Sequence, residues 1–159
     1  MDLDKIFLKT LEFKKTSYGR LVSMQKRFFD EWAQEKLESN GFKDFKMSYF
    51  AILMNISLEG VTSTELAEKI CVTKQASSKV IKELERQGLV HLATDEKDSR
   101  RVLIFLTKRG KELVIQATEN VKKKTKEYEK LVGKEKFAEA METMYKIMEH
   151  DREEWLRRR

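Results

Sequence analysis

The sequence predicts a mainly α-helical protein with a small β-hairpin wing, and three observations predict it. Proline is absent and glycine occurs six times in 159 residues, so few positions interrupt a helix. Apolar residues recur at three- and four-residue steps on both sides of the chain's centre. Between them, Thr62 to Gly110 (TSTELAEKICVTKQASSKVIKELERQGLVHLATDEKDSRRVLIFLTKRG) reads as two short capped helices, a hairpin with a basic tip and a restart into helix. That order describes a winged helix-turn-helix lobe flanked by long N- and C-terminal helices.

Leu3, Ile6, Phe7 and Leu11, then Tyr18, Leu21, Val22, Phe28, Phe29, Trp32 and Leu37, keep helical spacing. They predict one long helix, or two joined near Gly19, ending at Asn40-Gly41, where glycine accepts a left-handed backbone. A further helix is expected from Lys46 to Leu58, with Phe50, Leu53 and Met54 as its apolar stripe. Thr62-x-x-Glu65 has the form of a capping box, opening a helix from Ser63 to Ile70 that buries Leu66, Ala67 and Ile70. Thr73 is the next N-cap; its helix runs to Gln87, is stopped by Gly88 and carries Val72, Val80, Ile81 and Leu84 as a core stripe. Leu89, Val90 and Leu92 lead into the hairpin, Asp95 to Ser99 is its turn, and Val102 to Leu106 is the outgoing strand. Thr107 caps a long helix with Leu113, Val114, Ala117, Val121, Tyr128, Leu131 and Val132, closed by Gly133. The final helix presents Phe137, Ala140, Met141, Met144, Ile147 and Met148 on one face.

Thirty-three Lys and Arg against 27 Asp and Glu give a net charge of +6, with both signs spread along the chain. That excess is moderate and by itself favours an acidic partner only weakly. Cys71 is the single cysteine, so no internal disulfide forms, and MDLDKIFLKT lacks the uninterrupted apolar segment of a secretory signal. The apolar run in the wing, Val102 to Leu106, is far short of the roughly 20 residues that cross a bilayer as a helix. A cytoplasmic location without a membrane span is expected. His91 and His150 have no ligand-spaced neighbours that make a zinc signature, and no nucleophile is flanked by a base and an orienting residue. Neither a metal, a cofactor nor an enzymatic activity is expected.

The face of the second capped helix that opposes its core stripe is read as Lys74, Gln75, Ser77, Ser78, Lys79 and Lys82, preceded by Thr73. Short hydroxyls let a backbone approach DNA, an amide reads base edges, and lysines meet phosphates. The hairpin tip adds Lys97, Ser99, Arg100 and Arg101, and a guanidinium suits the negative potential of a narrow minor groove. Asp98 has the wrong sign for DNA and is assigned to supporting the wing, holding Arg100. Tyr18, Phe28, Trp32 and Tyr49 are candidates to line a pocket for a small aromatic or phenolic ligand, although an apolar stripe at helical spacing is core by default.

The lobe resembles the MarR family of bacterial transcriptional regulators. The matching residues are Leu66-Ala67, Val72-Thr73-Lys74, Leu84-Glu85, Gly88-Leu89-Val90, Asp98-x-Arg100 and Leu106-Thr107-x-x-Gly110. The resemblance implies a single domain over 1–159, with dimerisation helices in 1–45 and 111–159 around a DNA-binding lobe at 46–110. It further implies a homodimeric repressor of double-stranded DNA at a pseudo-palindromic operator, with Lys74 to Lys82 in the major groove and Arg100 at the minor groove. Many relatives release DNA on binding an aromatic acid or similar compound. Glu96 stands where the family often has proline, so a less rigid wing loop is expected, and Ala76 replaces a frequent hydroxyl. The alternative reading is a winged helix kept for protein interaction or dimerisation without DNA.

Overall fold

The computed structural model describes residues 2–158; Met1 and Arg159, the ends of the expected domain, lie outside the described residues. Helix α1 (Leu3–Thr16) is followed by α2 (Tyr18–Ser39). The two helices join at Ser17, whose backbone is extended, two residues before Gly19. Ser17 donates its hydroxyl to the Lys14 carbonyl at 3.3 Å, a local bond that competes with helix continuation. At the far end of α2, Gly41 takes φ 89, and the Phe42 N–H folds back to the Leu37 carbonyl at 3.0 Å. With the Gly41 N–H bonded to the Glu38 carbonyl at 3.1 Å, two carbonyls of the last turn are satisfied.

The helix expected over Lys46–Leu58 is cut short. A 3₁₀ turn at Met47–Tyr49 leads into α3 (Phe50–Leu53), which ends after one turn. Asn55 explains the stop: its side-chain amide donates to the Ala51 carbonyl at 2.8 Å, while its N–H goes to Ile52 at 3.0 Å. The side chain takes the acceptor that a continuing helix needs for its own backbone.

Helix α4 (Ser63–Lys69) opens on a complete capping box. Thr62 Oγ1 accepts the Glu65 N–H at 3.2 Å and Glu65 Oε2 accepts the Thr62 N–H at 2.8 Å. Helix α5 (Lys74–Arg86) opens on Thr73, whose hydroxyl oxygen accepts the Ala76 N–H at 3.1 Å. It closes with Gly88 at φ 67 and the Leu89 N–H returned to the Leu84 carbonyl at 2.9 Å. Strands β1 (Val90–Thr94) and β2 (Val102–Leu106) pair antiparallel, with Val90 opposite Leu106 and Thr94 opposite Val102. Val61 exchanges two backbone bonds with Ile104, adding a one-residue third edge. Helices α6 (Lys108–Val132) and α7 (Lys134–Arg157) form a hairpin about Gly133, at φ 91.

One core cluster holds the lobe together. Leu66, Ile81, Leu84, Leu89, Val90 and Ile104 meet Ile52, Leu53, Leu37, Phe42 and Phe45 from one side and Leu113 and Ala117 of α6 from the other. The core thus draws on residues before 46 and after 110, which ties the flanking helices to the lobe. Of the stripe expected on α5 and its approach, Ile81 and Leu84 are buried while Val72 and Val80 are half-buried. Among the described residues, α1 and α7 contribute nothing to this core. Their Leu3, Phe7, Leu8, Leu11, Met141, Met144 and Met148 remain exposed.

Thr107 and Gly110 set the junction between the hairpin and α6. Thr107 Oγ1 accepts the Gly110 N–H at 3.0 Å and donates to the Gly88 carbonyl at 2.7 Å. A Cβ on Gly110 would lie 2.0 Å from the Leu89 carbonyl oxygen, a backbone atom held by the Thr107 N–H at 3.0 Å. Gly110→Ala is therefore expected to lower stability by about 1–3 kcal/mol, the usual cost of overpacking. Urea denaturation measures it, and an unchanged midpoint would refute the close contact.

Candidate nucleic-acid interface

Helix α5 separates its residues into two faces. Ser77, Ile81 and Leu84 are buried, and Thr73, Lys74, Gln75, Ala76, Ser78, Lys79 and Lys82 share one open concave surface. Ser77 is thereby removed from the expected DNA-facing set. It is 1% exposed, and its hydroxyl has no hydrogen-bond partner in the fold. The spacing explains this: Ser77 lies four and seven residues before Ile81 and Leu84, on the same stripe. Its hydroxyl suggests solvent; its position dictates core.

The three lysines of the open face are electrostatically uncommitted. Lys122, Lys124 and Lys146 each pair with a glutamate three or four residues away on their own helix. Among the described residues, Lys74, Lys79 and Lys82 form no ion pair. The carboxylate closest to them in sequence, Glu83, accepts from Arg86 and Gln87, whose hydrogen bonds push its pKa down to about 2. Glu83 is thus satisfied by the end of α5 and not by the lysines.

The wing turn is organised by two aspartates. Asp95 Oδ1 accepts the Lys97 N–H at 2.9 Å, and Asp98 Oδ1 accepts the Arg100 N–H at 3.0 Å. Backbone bonds from Asp95 N–H to Arg101 O and from Arg101 N–H to Asp98 O, both 2.9 Å, close the loop. These Asx turns supply the order that a proline at position 96 would otherwise contribute. Asp98 also stands 3.7 Å from Arg100 Nε, while the Arg100 side chain is 94% exposed. Lys97 and Ser99 are exposed beside it.

Arg101 behaves differently from Arg100. Its Nη2 donates to Glu65 Oε1 at 3.2 Å and its Nη1 lies 3.7 Å from Asp95 Oδ2. Glu65 is held below the usual carboxylate range, chiefly by hydrogen bonds from Thr62 and further by Arg101. Sequence reading placed Arg101 with the DNA contacts and missed Glu65 and Asp95 as its partners. A pairing 36 residues apart leaves no local spacing signal.

The four aromatic pocket candidates do not converge. Tyr18 and Phe28 are exposed on α2, and Tyr49 packs edge-on against Phe45 with centroids 6.2 Å apart. Trp32 alone among them lines the cleft between α2 and α6, of about 20 Å³, with Phe29, Leu37, Met47, Phe50 and Asn120. The Asn120 amide nitrogen is buried there without a partner. Phe29, three residues before Trp32, is the aromatic that turns inward in place of Phe28.

Cys71 sits in the turn before α5 at φ 55, half-buried, with its sulfur 3.8 Å from the Glu68 carbonyl. Among the described residues no cluster of three or more metal-ligating side chains occurs, and no helix is long and apolar enough to cross a membrane.

The burial of Ser77 generates a direct expectation. Ser77→Ala removes an unpaired buried hydroxyl, so stability stays level or rises, and affinity for a DNA duplex stays at the wild-type value. Chemical denaturation and a fluorescence-anisotropy titration check it; a marked loss of DNA affinity would return Ser77 to the contact face.

Comparison with known proteins places this geometry in context. Residues 43–101 match the family model described as MarR family. Transcriptional regulator AdcR of Streptococcus pneumoniae serotype 2 (strain D39 / NCTC 7466) is 39% identical over 56 residues, which are 35% of this chain and 38% of that protein. The match thus spans well under half of that relative. The crystal structure of the transcriptional regulator SlyA is similar with a TM-score of 0.76 and 17% identity, covering 91% of this chain and 100% of that one. The S. aureus MepR–DNA complex is similar with a TM-score of 0.70 and 22% identity, covering 87% of this chain and 97% of that one. The sequence of residues 43–101 thus matches the MarR family model, and the fold across nearly the whole chain is similar to that of solved transcriptional regulators.

Proposed function

We propose that the protein is a homodimeric, sequence-specific DNA-binding transcriptional regulator, a repressor acting at a pseudo-palindromic operator. The observation that carries this reading is the open face of α5, where Lys74, Lys79 and Lys82 share a concave surface with Gln75 and form no ion pair among the described residues. Phosphates supply the missing anions, and the amide of Gln75 is the group suited to a base edge. Arg100, extended from the wing tip, supplies the minor-groove contact. MepR, a neighbour of the same fold, is solved on DNA. A duplex is a cytoplasmic partner, and binding without turnover is the activity that this site supports.

The exposed apolar residues of α1 and α7 support the dimer. Leu3, Phe7 and Leu11 follow one side of α1, and Met141, Met144 and Met148 one side of α7. Permanent dimers bury such surfaces in large, hydrophobic interfaces. Residues 1–45 and 111–159 are then the dimerisation helices and 46–110 the reading lobe, joined through the shared core. The cleft at Trp32 and Asn120 supports a small aromatic or phenolic ligand, since it offers apolar walls and one unpaired amide. Its volume of about 20 Å³ holds little more than one water. A ring enters only if α2 and α6 separate, so occupancy and a change in lobe position go together.

Two measurements test the reading. In mobility shifts on genomic fragments the wild-type protein retards a fragment whose half-site centres lie roughly 34 Å apart. Lys79→Ala and Arg100→Ala each weaken binding and reduce the salt slope by about 0.9. Gln75→Ala relaxes discrimination at one base by about 1–3 kcal/mol if its contact is bidentate. Absence of any retarded fragment, with the dimer intact, favours the interaction-module alternative. By sedimentation the wild type runs as a dimer, while the pair Phe7→Arg and Leu11→Arg yields folded monomer; a monomeric wild type rejects the assembly.

A further inference from the structure

We propose that Arg101 is a positioning residue for the wing rather than a DNA contact, fastening the hairpin to the N-terminus of α4 so that its neighbour Arg100 faces the duplex. The inference rests on the DNA-binding reading above and adds to it the device that aims the wing. Arg101 spans two carboxylates from different parts of the fold: Glu65 Oε1 at 3.2 Å and Asp95 Oδ2 at 3.7 Å. Both carboxylates are themselves fixed. Glu65 Oε2 accepts from the Thr62 N–H and hydroxyl at 2.8 and 2.9 Å, and Asp95 Oδ1 accepts the Lys97 N–H at 2.9 Å. The Arg101 backbone joins the same frame, since its carbonyl accepts the Asp95 N–H and its N–H donates to Asp98.

A chain of bonds therefore runs from the cap of α4 through one guanidinium to the wing turn. A planar fork with five N–H donors can hold two separate carboxylates, which a lysine ammonium on a flexible stem does poorly. The local charge also argues against a phosphate contact. One cation between two anions leaves the spot net negative, and a phosphate there meets Glu65 and Asp95 as well as Arg101. Removing Arg101 leaves those two carboxylates facing each other without a bridge, and their repulsion drives the hairpin away from α4. Arg100 is carried on the residue next to that hinge. Its side chain is 94% exposed against 47% for Arg101. Adjacent arginines thus have separate duties, one reaching outward and one held inward.

Glu65→Gln isolates the brace, because glutamine keeps the capping-box acceptor while losing the charge that holds Arg101. The probe is a duplex selected by the wild-type protein from a random-sequence pool, titrated by fluorescence anisotropy at several salt concentrations. As a brace, R101A and E65Q each weaken binding by about 2- to 5-fold, the range an exposed ion pair supports. The salt slope stays unchanged, the double variant is no weaker than the worse single one, and R101K does not restore affinity. As a phosphate contact, R101A lowers the slope by about 0.9 and E65Q leaves binding equal or stronger, since it removes a negative charge near DNA; that pattern overturns the proposal. Hydrogen exchange on the free protein reads the brace independently of DNA. The Asp95 and Arg101 amides exchange faster in both variants at unchanged melting temperature, and unchanged exchange in both overturns it. Failure of the wild type to select any duplex instead strikes the DNA-binding reading and leaves the exchange result to decide the brace.

Discussion

Everything in the lobe hangs on the backbone contact between Gly110 and the Leu89 carbonyl. Within that small junction the end of α5, the bases of both strands and the first turn of α6 meet. Thr107 binds the Gly88 carbonyl and the Gly110 N–H with one hydroxyl, while its own N–H takes the Leu89 carbonyl. No side chain fits between α6 and the hairpin at this point, because a Cβ there has no space. The direction of the reading helix, the wing and the long helix are consequently not three independent angles but one. Burial of Leu84, Leu89 and Leu113 around the junction then fixes that angle by packing, and each of these leucines is at most 2% exposed.

Electrostatics divides the surface along the same lines. On α6 and α7, Lys122, Lys124 and Lys146 each pair with a glutamate one turn away, exposed contacts that add little to stability. On α5 the carboxylate next in sequence to Lys82, Glu83, is occupied by Arg86 and Gln87. A modest overall charge of +6 therefore conceals a face of concentrated positive potential. Whole-chain charge is a poor guide to such a face, because what matters is which cations have been left unanswered.

Much of this was legible in the sequence where local chemistry decides structure. Thr62, Thr73 and Thr107 cap helices by bonds to residues three positions on, and Gly41, Gly88 and Gly133 take the positive φ that ends them. The two strands were bounded by their polar turn. Reading failed where a side chain acts against its type or at a distance. Asn55 stops α3 by capturing a carbonyl, which a periodicity search does not see. Ser77 looks like a surface hydroxyl, yet its spacing to Ile81 and Leu84 puts it inside. The inward aromatic on α2 is Phe29 and not Phe28, a one-residue choice that adjacent identical residues cannot reveal. Glu65 and Arg101 meet only because the hairpin folds back over α4.

Helix α6 has no interruption across its 25 residues. Its N-terminal third is sealed into the lobe by Leu113 and Ala117, and its far end meets α2 and α7 through Tyr128, which accepts from Gln25 and stacks on Phe137. At 1.5 Å per residue it is a rod of about 37 Å. Rotation of such a rod by about 5° moves its tip by about 3 Å, close to the 3.4 Å rise of one base step. A lever of this length turns sub-ångström adjustments where α2 and α6 touch into ångström-scale displacements at the lobe, without any bending of the helix itself.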